Sequence, residues 1–217
     1  MNRNGAPNFP SPMVFEPLRY IALGISKLLW FIRYRGKENI PSASAGPFLI
    51  ASNHQTYFDP AWITAPVRTK FRFMAWDRAF DWRFVGWFIR SLGAFPVSLE
   101  KGGSLSALKE ALATFKAGGA LVIFPEGARE FGDGKLLDLK QGAVRIAMQA
   151  NVPILPVTIQ GGNRVWPQKQ KYPKFFRPIV VTYHPLLRVE KGDLGENEAA
   201  ETYTKILSEI IAGSADA

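Results

Sequence analysis

The chain has 217 residues, 47% of them hydrophobic, which suits one domain with a real core and excludes wholesale disorder. A net charge of +9 points to an anionic partner: nucleic acid, an acidic lipid surface or a phosphorylated substrate. The absence of cysteine excludes disulfides, thiolate metal sites and a cysteine nucleophile, and with two histidines any imidazole chemistry runs through His54 or His184.

Met1 to Pro12 is rich in Asn, Pro and Ser and reads as an unstructured lead-in. From Val14 to Tyr34 the chain turns apolar and aromatic but is broken by Glu16, Arg19, Lys27 and Arg33. A spanning helix needs about 20 mostly apolar residues, far more than the charge-free run Tyr20 to Ser26. Ile21, Ile25, Leu28, Leu29 and Ile32 fall at helical spacing, bordered by Trp30, Phe31, Lys27, Arg33 and Arg35. Two readings fit: a helix lying in a membrane interface, or an ordinary amphipathic helix packed on the domain. The domain reading is therefore residues 1–34 as lead-in and amphipathic interface helix, and 35–217 as the body.

After Pro41, short apolar runs alternate with helical stretches, the pattern of an α/β fold: a single domain with a mixed central sheet flanked by helices, preceded by the amphipathic N-terminal helix. Strands are expected at Phe48–Ser52, Lys70–Trp76, Ala94–Val97, Ala120–Phe124, Ile154–Ile159 and Ile179–Tyr183. Helices are expected from Pro60, through Leu105, Leu108, Leu112 and Phe115, over Gln141–Ala150, and through Tyr203, Ile206, Leu207, Ile210 and Ile211.

Chemistry concentrates in the segments that follow strands. His54 and Asp59 would point roughly 140° apart on one continuous helix. A turn between them instead brings the carboxylate onto the imidazole, fixing its tautomer so that the free ring nitrogen takes a proton from a hydroxyl. Equally, Asp59 before Pro60 suits a helix N-cap. In Phe124-Pro-Glu-Gly-Ala-Arg129, Gly127 permits close backbone approach, Arg129 suits a bidentate oxyanion clamp, and Glu126 accepts from a hydroxyl. Further segments are Leu92–Val97, running on to Lys101, and Asn151–Val157.

These four blocks, in this order, resemble the 1-acylglycerol-3-phosphate acyltransferase family within the wider glycerolipid acyltransferases, over roughly Arg35 to Pro185. The resemblance implies transfer of an acyl chain from a thioester to a glycerol hydroxyl, giving phosphatidic acid when the acceptor is lysophosphatidic acid. It implies His54 as general base and Asp59 as its orienter. The Phe-Pro-Glu-Gly block supplies the phosphate and acceptor site through Glu126, Gly127 and Arg129, with Asn53 and Pro125 in support. Val152, Pro153 and Ile154 are read as packing. The chain departs from the family pattern at Leu99, where an Arg is usual, with Lys101 as a substitute cation, and at Ala128 and Glu130. These departures bear on the acceptor, leaving another lyso-lipid or a glycolipid open. No metal or cofactor is implied.

With neither a cysteine nor a Gly-x-Ser-x-Gly elbow, direct transfer in a ternary complex is the simplest mechanism. The partners implied are acyl-CoA or acyl carrier protein as donor and a lyso-phospholipid as acceptor. Peripheral or monotopic association with an anionic membrane, at its cytoplasmic face, is expected, and nucleic acid is not. His184 reads as structural. Between Trp62 and Trp87, Trp and Phe alternate with Arg68, Lys70, Arg72, Arg78 and Arg83, read as core, acyl-tunnel wall and lipid-phosphate contacts. Trp166 to Arg177 reads as a membrane-facing loop. A non-catalytic basic lipid-binding protein is the alternative from another class, and would require a broken His54–Asp59 dyad.

Overall fold

The computed structural model describes residues 7–97, 103–129, 132–167, 170–190, 192 and 194–213. Helix α1 (Pro12–Trp30) leads to β1 (Arg33–Arg35), β2 (Leu49–Ser52), α2 (Asp59–Thr64) and β3 (Phe71–Trp76). A 3₁₀ turn at Asp77–Phe80 precedes α3 (Arg83–Ser91), β4 (Ala94–Val97), α4 (Gly103–Lys116) and β5 (Ala120–Ile123). The chain continues through α5 (Gly142–Ala150), β6 (Ile154–Gln160), α6 (Gly162–Val165), β7 (Val180–Tyr183) and α7 (Glu196–Gly213). The seven strands form one sheet in the order β1-β7-β6-β2-β5-β3-β4. Among the described strands, β6 and β7 pair antiparallel and the other pairings are parallel, so the sheet is mixed, as expected. Every residue of β2 and β5 is buried, which suits central parallel strands covered on both faces.

Strand residues alternate between two cores. Phe48, Ile50, Phe71, Phe73, Val122 and Leu155 join Trp30, Trp62, Ile63 and Phe80 on the face covered by α1, α2 and α3. Leu49, Ala51, Leu121 and Ile154 meet Ala111, Phe115, Val144, Ala147, Leu207 and Ile211 from α4, α5 and α7 on the other. Asn151 takes the left-handed conformation that ends α5, a position Asn tolerates better than most residues.

The apolar run at the N-terminus divides in space. Ile21, Ile25 and Leu28 point outward, whereas Trp30 and Ile32 are buried and Leu29 packs against the core. Trp30 meets Trp62 edge-on and Phe58 and Phe175 at a tilt, and its indole N–H donates to the Lys174 carbonyl at 2.8 Å. The expected boundary between Tyr34 and Arg35 falls inside β1, which pairs with β7.

Arg72, expected among cations meeting lipid phosphates, points inward instead. It is 2% exposed, bonds Glu110 at 2.7 Å and lies over the Phe95 ring. Side-chain alternation along β3 turns it toward α4. Among the described residues, no helix is long and apolar enough to cross a membrane.

Candidate active site

The sheet register brings two of the sequence blocks together. Ala51 in β2 lies opposite Ile123 in β5 in a parallel pairing, and His54 and Glu126 each stand three residues further on. On the other side of β2, Ser52 pairs with Val157. Asn53 extends that junction: its side chain donates to the Ile159 carbonyl at 2.8 Å and accepts from the Ile159 N–H at 2.7 Å. It pins the loop that carries His54 to the end of β6.

The turn between His54 and Asp59 closes, with His54 Nδ1 2.8 Å from Asp59 Oδ2. Asp59 is fully buried and also accepts from the Gln55 and Thr56 N–H groups at 2.6 and 2.8 Å, and from the Thr56 hydroxyl at 2.7 Å. Among the described residues, all its hydrogen bonds run back to residues 54–56, so the carboxylate orders the turn and the imidazole and does not cap α2. A carboxylate on Nδ1 places the proton there and leaves Nε2 with its lone pair. The His54 side chain is 20% exposed, and its ring stacks on Phe124 with centroids 4.1 Å apart.

Glu126 is buried and bridges two loops. Its Oε1 accepts from the His54 N–H at 2.6 Å, and its Oε2 from the Leu137 N–H at 2.8 Å. Burial pushes its carboxyl above the usual carboxylate range, and the two backbone N–H groups work against that rise. The carboxylate expected to meet a substrate hydroxyl thus has both oxygens engaged by backbone amides.

Gly127 adopts φ +70°, a conformation that favours glycine, and the Lys140 side chain lies over it, with Nζ 2.6 Å from where a Cβ would stand. Pro125 is buried and its carbonyl accepts from the Lys140 N–H. The Arg129 guanidinium lies 3.8 Å from the centroid of the Tyr57 ring. Arg129 and Lys140 therefore flank this turn. Lys101, Leu99 and Glu130 lie outside the described residues. Val152 and Ile154 are buried, in keeping with packing. His184 pairs with Thr158, its Nε2 lying 2.9 Å from the hydroxyl, and burial lowers its pKa.

Sequence reasoning missed Gln55, Thr56, Tyr57, Leu137 and Lys140. The run Gln55-Thr56 right after a buried strand was a usable signal, because polar residues buried there need partners. Gln55 is buried and accepts from the Gly162 N–H at 2.8 Å. Leu137 and Lys140 reach the site only because a long loop returns to it, and no local pattern announces that.

Residues 31–160 match the family described as Acyltransferase. A 1-acyl-sn-glycerol-3-phosphate acyltransferase of Streptococcus pneumoniae is 37% identical over 140 residues, covering 62% of this chain and 50% of the relative. The chloroplastic enzyme of that name from Arabidopsis thaliana is 26% identical over 200 residues, covering 88% and 55%. The Bacillus subtilis enzyme of the same name is 28% identical, covering 83% and 86%. The chain thus spans about half the length of the chloroplast and streptococcal relatives. The crystal structure of the 1-acyl-sn-glycerophosphate (LPA) acyltransferase PlsC from Thermotoga maritima superposes with a TM-score of 0.73 at 29% identity, covering 94% of this chain and 78% of that one.

Proposed function

Because the chain belongs to the acyltransferase family, we propose that it transfers an acyl chain from acyl-CoA or acyl carrier protein to the free hydroxyl of 1-acylglycerol-3-phosphate, yielding phosphatidic acid. The observation that carries this reading is the imidazole held through Nδ1 by Asp59 and left partly exposed, beside a glycine turn flanked by Arg129 and Lys140. The names of the relatives above support the choice of acceptor.

In this reading Nε2 of His54 takes the proton of the acceptor hydroxyl as the oxygen attacks the thioester carbonyl carbon. The new C–O bond forms, the C–S bond breaks, and His54 returns the proton to the leaving thiol. Asp59 holds the ring in orientation and stabilises the transient imidazolium. Glu126 is a positioning residue that fixes the backbone of His54, while Arg129 and Lys140 offer charge to the acceptor phosphate. The acceptor is a membrane lipid and α1 lies at the surface, so we place the enzyme peripherally on the cytoplasmic face of the cell membrane. Ala128 at the exposed turn departs from the family pattern, which favours testing other lyso-lipid and glycolipid acceptors alongside.

The test is thiol release from an acyl thioester with lysophosphatidic acid and with a panel of other lyso-lipids. Folded His54→Ala protein should lose about 10²–10⁴-fold in turnover. Near-parental turnover would remove His54 from the chemistry. A preference for a non-phosphate acceptor would replace the assignment of the substrate.

A further inference from the structure

Helix α3 is the most unusual surface in the molecule. Of its nine residues only Gly86 is buried, packed so close to the Phe80 carbonyl that a Cβ there would collide with it. Phe84 is 83% exposed and Trp87 70% exposed, with Val85, Phe88 and the preceding Trp82 also open. A helix bound only by water does not ordinarily carry such a row of rings.

Two observations say what covers it. First, α3 shares a sheet face with α1: Ile89 and Leu92 pack into the same core as Phe15 and Leu29. A Cβ on Gly93, just past α3, would lie 2.9 Å from Pro10, just ahead of α1. The outward rings of α3 and the outward Ile21, Ile25 and Leu28 of α1 therefore belong to one layer. Second, the charge around the rings is mostly positive. Arg78, Arg83 and Arg90 are exposed, against Asp77 and Asp81 in the preceding turn. Aromatic rings bordered by arginines suit the headgroup region of an anionic bilayer.

We propose that α3 is a second membrane-binding element, which together with α1 lays this face of the sheet on an anionic bilayer. The proposal extends the membrane-lipid reading above but is measured without turnover, so each stands or falls separately.

The test is flotation of the full chain with phosphatidylcholine vesicles, with and without phosphatidylglycerol. Phe84→Ser with Trp87→Ser should keep the parental melting temperature and its thiol release with a water-soluble acceptor. It should bind anionic vesicles at least about tenfold more weakly. In a second measurement, brominated lipids should quench the parent strongly and Trp87→Phe clearly less, which tests the same contact if the double variant fails to fold. Unchanged flotation of the folded double variant overturns the proposal, as does unchanged quenching in Trp87→Phe. A parental dimer that becomes monomeric in the double variant, with vesicle binding intact, also overturns it and assigns the face to a second copy of the chain.

Discussion

The two helical layers solve the same packing problem inward and different problems outward. Both bury apolar side chains against the alternating faces of one sheet. Outward, α1 and α3 show Ile21, Ile25, Leu28, Phe84 and Trp87, whereas α7 exposes Glu198, Glu201, Thr202, Lys205 and Glu209. One layer is finished with charge and the other with rings, the difference that the proposed lipid-facing role of α1 and α3 would require. The difference lies wholly in residues that contribute little to folding, so outward substitutions should separate binding from stability and inward ones should not.

The largest effect expected is inward, on the α1 side. Trp30→Ala removes a buried ring in contact with three others and a bond to Lys174, and should cost about 3–5 kcal/mol in denaturant unfolding. A cost below about 1 kcal/mol would mean that α1 is not tied to the domain. Next comes the α4 side, where Glu110→Ala strands the buried Arg72. Glu110 keeps some solvent contact, with its side chain 22% exposed, so the cost should fall near about 3 kcal/mol, at the low end for a broken buried pair. Pairing it with Arg72→Met should recover much of the loss.

Leu28 and Leu105 sharpen the comparison. They are 70% and 72% exposed on opposite layers, and serine at either should change stability by only about 0.5 kcal/mol. Vesicle binding should weaken several-fold for Leu28→Ser and not at all for Leu105→Ser. Equal losses would dissolve the distinction between the layers.

The smallest effect is the pH response of His184, which packs beside α7 through Thr158. Its pKa is lowered in the folded protein, so the unfolded chain binds the proton more readily. Stability should be fully present above about pH 6.5 and decline as pH falls from there through the lowered folded value. In His184→Gln that segment of the pH–stability curve should flatten. An unchanged slope would locate the titration elsewhere.

Most of the body was legible because its strands are short apolar runs bounded by turns, and β4 begins and ends where expected. What escaped notice depends on tertiary context. β1, three residues long, is a strand only because β7 reverses direction beside it. α3 was hidden because its Trp and Phe do not follow the inward-facing pattern that marks a helix in water. Arg72 read as a surface cation, since nothing local shows that Glu110, 38 residues away, waits to pair with it. In the site, His54 and Asp59 were visible as a spacing. The direction of the Asp59 carboxylate was not, because a cap and an orienting carboxylate demand the same residue beside Pro60.

The Glu126 side chain spans two segments that are otherwise independent in sequence, one amide at His54 and the other at Leu137. Fixing either segment sets the anchor for the other, so the entropy of ordering the site is spent once, during folding, and not at each encounter with substrate. His54 stands preorganised for the role proposed for it, and a change in the 132–139 loop should alter the position of His54 without touching its ring.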